Sequence, residues 1–184
     1  WMTLSALLPV GLVVLPLIYV ALRTAQTGLA GAAAELFRAR TLELLGNTVT
    51  LAAGVMILAS LIGLGVAWCV ERSDLPGRRW WRVAAGLPLA VPAFVSSYAW
   101  ASIDVAFQNL GGAIFILALS TYPLVYLPVA AALRGTDPGL EDVCRSLGHG
   151  PWHAFTHALL PQLLPALGGG ALLVLTHMFA EFGA

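Results

Sequence analysis

Apolar residues run in long blocks along this chain, and the charged residues fall between them. No Asp, Glu, Lys or Arg occurs in residues 1–22, 44–70, 83–103 or 105–133, and none lies between Arg145 and Glu181. A helix needs roughly 20 apolar residues to cross a hydrocarbon core about 30 Å thick, and each block reaches that length. Five such blocks cannot all be central helices of a soluble domain of 184 residues. The pattern predicts an all-α polytopic membrane protein with spans at about 4–22, 48–70, 83–100, 111–133 and 159–179.

The joints between blocks are marked by helix-breaking and polar residues. Pro9 and Pro16 lie inside the first block, where a membrane helix tolerates them because neighbours re-satisfy the freed carbonyls. Residues 23–47 carry Arg23, Glu35, Arg38, Arg40 and Glu43 and read as a loop followed by a short amphipathic helix at the interface. Asn47 is placed to cap the second span. The segment "ERSDLPGRRWWR" follows, with Pro76-Gly77 as its turn signal and Trp80 and Trp81 suited to the headgroup level. Pro88 and Pro92 threaten the hydrogen-bond ladder of the third span, "SIDVAFQNLGG" is a polar turn, and Pro161 and Pro165 fall in the first turns of the fifth. The chain opens on Trp1 without basic residues ahead of its apolar run and stops on Ala184 without a polar tail. Such ends predict a piece of a longer product rather than a cleaved leader.

Composition sharpens this reading. Asp, Glu, Lys and Arg make up 10% of the chain and hydrophobic residues 59%, against about 25% charged residues in a soluble domain. The formal net charge of zero argues against nucleic acid as a partner. Cys69 and Cys144 are too few and too far apart for a disulfide framework and read as small packing residues. All nine basic residues are arginines. Arg72, Arg78, Arg79, Arg82, Arg134 and Arg145 fall on one side of the predicted topology, and Arg23, Arg38 and Arg40 on the other. That bias makes the first side cytoplasmic, with the 23–47 segment, Asp104 and Glu181 external.

The most unusual stretch is the polar-to-apolar hinge at 134–157. Asp137 can cap a helix whose first residue is Pro138, carrying Glu141, Asp142 and Arg145 and ending at Gly148. After "GHGP", Pro151 starts a second helix with Trp152, Phe155 and Leu159 near one face and His149, His153 and His157 near the other. The spacing predicts two short helices, Pro138 to Leu147 and Pro151 to about Leu160, meeting at Gly148, which takes a left-handed conformation or allows the close approach of a partner. Histidines at i and i+4 can share a zinc ion, but no Cys or carboxylate stands beside them, so solvated or interfacial histidines are the better reading. A DNA-reading helix–turn–helix is opposed by Glu141 and Asp142, which repel phosphate, and by the apolar run that follows.

These residues resemble the inner-membrane permeases of binding-protein-dependent ABC importers, in the branch that includes iron(III) permeases. That family carries a cytoplasmic signature: Glu-Ala-Ala, three residues, Gly, nine residues, an aliphatic, one residue, then Leu-Pro. Here the register is Asp142, Val143, Cys144, three residues, Gly148, nine residues, Ala158, Leu159, then Leu160-Pro161. Gly148 and Leu160-Pro161 match with the spacing intact, Asp142 keeps the acidic charge, and Glu141 could supply it if the helix turns slightly. "NTVTLA", "LPGRRWWRVAAGLPLAVPAFVSSYAW", "LSTYPLVYLPVAAALRGTDPGLED" and "MFAEFGA" also resemble the iron(III)-type permeases, so the likeness covers essentially the whole chain. Such permeases usually have two six-span halves, of which this chain would be most of the first.

The resemblance implies a type I ABC importer transmembrane domain in the bacterial inner membrane. Its partners would be cytoplasmic ABC ATPase subunits seated on the loop, an external substrate-binding protein, a second permease half and membrane lipid. ATP and Mg2+ would belong to the ATPase; this chain, which has no GxxxxGK[ST] loop, would bind no cofactor and hydrolyse nothing. Iron(III) is the implied cargo, with thiamine or polyamine as alternatives. From the residues themselves, Ser96, Ser97, Tyr98, Tyr122 and Tyr126 could line a polar passage, although tyrosines also serve at membrane interfaces. His177 and Glu181 near the external end could receive cargo or simply pack at the interface. Two other classes stay open. A membrane-embedded transferase would need its histidines, whereas a structural scaffold would be indifferent to changes at Asp142 and Gly148.

Overall fold

The computed structural model describes residues 14–23, 25, 26, 28, 31, 34, 37–137 and 139–180; Pro9, Glu35, Pro138 and Glu181 lie outside the described residues. The chain divides into two compact units, residues 1–48 and 49–184. Everything regular among the described residues is helical.

An apolar helix α1, Val14–Arg23, contains Pro16. Helix α2, Ala39–Arg72, is 34 residues long. At 1.5 Å per residue it measures roughly 50 Å, well beyond the thickness of a hydrocarbon core. It starts nine residues earlier than the predicted second span, so Asn47 is a helix-interior residue rather than a cap. The reason is local: "ARTLELLG" is built mostly of strong helix formers, and extending an existing helix through Gly46 and Asn47 costs less than nucleating a new one.

The third predicted span is broken. Helix α3, Arg78–Ala84, leads through a 3₁₀ turn at Leu87–Ala90 to helix α4, Ala93–Ile103, and the two halves are bent by 89°. Pro92 removes one ladder donor and forces Val91 into an extended conformation, φ −95° and ψ 122°, as expected ahead of proline. The fourth predicted span is likewise two helices, α5 Leu110–Thr121 and α6 Pro123–Gly135, bent by 43° where Pro123 opens the second. Asn109 caps α5, its side chain accepting from the Gly112 N–H at 2.8 Å. Helix α7, Gly139–Ser146, precedes a short turn α8, Pro151–His153, a π-helical segment at Ala154–Leu159 and helix α9, Leu160–Ala180.

Among the described residues two helical stretches, Ala39–Arg72 and Ala154–Ala180, are long and apolar enough to cross a membrane, and up to four count if each bent pair is one crossing. Their outward faces expose large apolar side chains such as Leu61, Phe94 and Leu172, which suits a lipid solvent. Within residues 49–184 the core joins Val55 and Ala59 of α2 to Val125 and Val129 of α6 and Leu163 and Val174 of α9. Glycines let the backbones approach. A Cβ on Gly63 would come within 2.8 Å of the Val125 Cβ, and one on Gly170 within 2.8 Å of the Val125 Cα. Val125 is thus gripped between α2 and α9, the close packing that small residues allow in membrane bundles.

Candidate functional site

The 134–161 hinge is built from local signals. Asp137 Oδ1 accepts the Gly139 N–H at 2.9 Å, the bond of an N-capping residue. Helix α7 ends in a left-handed residue, Gly148 at φ 79°. The His149 N–H then donates to the Cys144 carbonyl at 3.0 Å, the six-to-one bond of a Schellman turn. Among the described residues nothing stands within 4 Å of a Cβ built on Gly148, so the glycine answers to backbone conformation there. Glu141 and Asp142 are on α7, with side chains outside the described residues. Val143 on α7, Leu147 just after it and Trp152 beyond the turn are exposed, while Cys144 is half-buried with a free thiol. Two helices separated by a turn, rather than one unbroken helix, occupy this stretch.

Beyond the turn, the chain passes into α9 with no linker. The π segment widens the helix by one residue per turn, a device found often at functional positions, and delivers Leu160 and Pro161 to the start of α9. Phe155, in that segment, meets Trp68 of α2 edge-on with ring centroids 4.7 Å apart. On the other face His149, His153 and His157 stack in a row, each neighbouring pair of rings 4.1 Å apart. The Thr156 hydroxyl and His157 Nδ1 are 2.8 Å apart. Burial lowers the His153 imidazole pKa from its ordinary value, and the neighbouring His157 and His149 push it the same way. Among the described residues no group of three or more His, Cys, Asp or Glu could hold a metal ion.

The root of the hinge holds an ion network that the sequence did not reveal. Glu71, in the last turn of α2, has a side chain only 3% exposed. Arg82 of α3 grips it with both ends of its guanidinium, Nε to Oε1 at 3.0 Å and Nη2 to Oε2 at 2.7 Å. Arg134, in the last turn of α6, adds Nη1 to Oε1 at 2.7 Å. A bidentate arginine and a second cation on one buried carboxylate make three charge-assisted hydrogen bonds. The Tyr126 hydroxyl donates to the Arg82 carbonyl at 3.3 Å, and Arg72 Nη2 donates to the Leu133 carbonyl at 3.4 Å. The 71–82 segment and the start of the hinge therefore sit at the same end of residues 49–184. The available signal was a lone acid closing a long apolar helix, with an arginine closing another.

The five passage candidates are spread over α4, the α5–α6 bend and α6. Ser96 and Ser97 are half-buried on α4 and Tyr98 beside them is exposed. Tyr122 lies at the α5–α6 bend, and Tyr126, one turn further, is buried with its hydroxyl turned to the Arg82 backbone. His177 lines a small cavity of about 80 Å³ with Ser120 and Pro92.

The comparisons with known proteins agree with this architecture. Residues 59–184 match the family described as binding-protein-dependent transport system inner membrane component. The chain is 44% identical over 185 residues to the Fe(3+)-transport system permease protein FbpB 2 of Haemophilus influenzae, covering 100% of this chain and 36% of that protein. It is 32% identical over 146 residues to the molybdenum transport system permease protein ModB of Escherichia coli, covering 70% and 63% respectively. It is 31% identical over 154 residues to a probable sulfate transport system permease protein of Nephroselmis olivacea, covering 74% and 54%. The chain thus spans between about a third and just under two thirds of the length of these curated relatives. A helical membrane chain of which residues 59–184, more than half of its length, match that family's model belongs to the binding-protein-dependent transport system inner membrane components.

Proposed function

We propose that this chain forms part of the membrane path of an ATP-driven iron(III) importer, with residues 139–161 as the surface on which a cytoplasmic ATPase subunit acts. The cargo reading rests on one observation: similarity to the Fe(3+) permease covers the whole chain at 44% identity. A second reading, import of an oxyanion, is supported by the molybdenum and sulfate permeases at 32% and 31% over about three quarters of the chain or less. The docking reading draws support from the rigid Schellman turn and from the direct run of the hinge into α9. It also draws on the shared position of the 71–82 segment and the hinge, because their six arginines favour a cytoplasmic location. In this scheme ATP and Mg2+ belong to the ATPase, an external binding protein delivers cargo, and a further permease half completes the path.

The test is ATP hydrolysis by the permease reconstituted with its ATPase, with and without binding protein loaded with iron(III), sulfate or molybdate. Stimulation by iron(III) alone is the expected result, and stimulation by an oxyanion instead would transfer the assignment to the second reading. Gly148→Leu places a Cβ at a left-handed position, which costs about 1–2 kcal/mol, and projects a side chain toward the partner. Asp142→Lys reverses the charge offered to the partner, weakening docking by about 1–3 kcal/mol. Both should insert normally yet lose stimulated hydrolysis and uptake. If either assembled complex matched the parent, the hinge would not be the transmission element; a histidine-dependent transferase would likewise be indifferent to both changes.

A further inference from the structure

A groove of about 560 Å³ runs beside the last turns of α2, lined by Ile62, Val66, Val70, Leu75, Trp81 and Tyr122. The lining is almost wholly apolar, and the small side chains of Ala84 and Ala85 help to keep it open. From Ile62 to Val70 it follows α2 for about 12 Å, an elongated shape suited to a hydrocarbon chain. One end of it reaches the loop after α2, at Leu75. In that loop the Ser73 carbonyl accepts from Arg78 Nη2 at 2.6 Å. Arg78 stands three residues before Trp81 on α3, and positions three apart share a helix face. Arg79 next to it is exposed, and the Trp80 and Trp81 indoles are exposed at 80% and 53%. Tryptophans paired with arginines are what the headgroup level of a bilayer favours.

The charge balance at this rim decides what kind of lipid fits. Residues 71–82 carry four arginines against Glu71 and Asp74. Glu71 is already occupied by Arg82 and Arg134, and so cannot neutralise Arg78 or Arg79. Asp74 is the remaining acid of the segment, and Arg78 and Arg79 outnumber it; a zwitterionic headgroup adds nothing to offset that excess, whereas an anionic one complements it. We propose that the groove is a binding site for one anionic phospholipid, with an acyl chain along α2 and the phosphate against Arg78 and Arg79. The site requires only membrane residence and goes beyond the import reading.

Native mass spectrometry of the permease purified in mild detergent tests this directly, with equimolar phosphatidylglycerol and phosphatidylcholine of identical acyl chains. One retained phosphatidylglycerol per permease is expected, favoured by about five-fold for each arginine engaged. Arg78→Gln with Arg79→Gln should abolish the headgroup preference while a lipid is still retained. Ala84→Leu, which grows from an exposed groove-lining position, should reduce retention of both lipids. A Leu172→Ala control on the outward face of α9 should change nothing. Equal retention of the two lipids by the parent would overturn the proposal, as would retention unchanged by Ala84→Leu. A parent that binds no lipid because further polypeptide fills the groove would overturn it too. The readout needs neither ATPase nor cargo, so its failure is separable from failure of the import reading.

Discussion

Removing both Arg82 and Arg134 should harm this protein more than neutralising Glu71 between them. The Glu71 carboxylate is 3% exposed, while the Arg82 and Arg134 side chains are 39% and 48% exposed. Glu71→Gln therefore leaves two half-solvated cations that water can serve, and it keeps an acceptor oxygen in place. A hydrogen bond to a charged group contributes about 1.5–3 kcal/mol, and solvent screening at the half-exposed arginines brings this toward the value of surface pairs, about 1 kcal/mol or less. Glu71→Gln should then cost about 1–2 kcal/mol. Arg82→Met or Arg134→Met alone should cost a similar amount, because one cation still holds the carboxylate. The double variant leaves a buried carboxylate with neither cation, and breaking a buried pair from one side costs about 3–5 kcal/mol. Adding Glu71→Leu to that double variant should recover much of the loss, since the stranded charge disappears. The assay is reversible unfolding in mixed micelles, followed by circular dichroism, with the variants compared as a cycle. If the double arginine variant were no less stable than Glu71→Gln, or if Glu71→Leu failed to rescue it, the buried carboxylate would not be what holds α2, α3 and α6 together.

Two further outcomes follow from the packing and from the histidine row. Gly63→Leu should lose several kcal/mol, in the range of an overpacked core or beyond, because even a Cβ there meets the Val125 Cβ at 2.8 Å and the Tyr122 carbonyl at 3.0 Å. Gly65→Leu on the same helix, where a Cβ meets nothing within 4 Å among the described residues, should fold; thermal unfolding in detergent separates the pair. The His153 pKa is lowered in the folded chain by burial and by its two histidine neighbours, so the unfolded chain takes up its proton first as pH falls. Stability owed to His153 should be unaffected above about pH 6.5, decline as pH drops below that value, and level off once the folded imidazole is also protonated. His153→Gln should flatten that decline, and an unchanged pH profile in unfolding experiments would remove the claim.

The apolar blocks were legible because lipid leaves no alternative: a backbone in hydrocarbon must satisfy its own hydrogen bonds over some 20 residues. Where helices break was less so. Pro92 and Pro123 sit at bends of 89° and 43°, while Pro128 and Pro165 lie inside continuous helices. One residue type gives both outcomes, because a freed carbonyl can be re-satisfied by neighbours that a local pattern does not show. Asn47 misled for a related reason. Its side chain could cap a helix, but the segment before it was already helical, and propagation through it prevailed over a new start.

In the hinge the division is sharper. The Asp137 cap and the left-handed Gly148 depend on residues within a few positions of each other, so spacing alone pointed to them. The Glu71 network joins residues 11 and 63 apart in sequence, and nothing in a local window distinguishes Glu71 from other charges that close an apolar run. Yet these distant pairings determine what the hinge can transmit. Arg134 ties its first end to Glu71, and Phe155 in the π segment rests on Trp68, one turn earlier on the same helix. Both ties reach the last two turns of α2, while the hinge itself continues into α9. If an ATPase pushes on residues 139–161, as proposed, the load must therefore divide between α9, through the covalent chain, and the end of α2, through contacts that include the Arg134–Glu71 ion pair, the Arg72–Leu133 hydrogen bond and the Phe155–Trp68 ring contact. A lever fixed only to α9 would turn freely against α2. The side-chain ties oppose that, so movement of the hinge has to carry the two long helices together or break the ties between them.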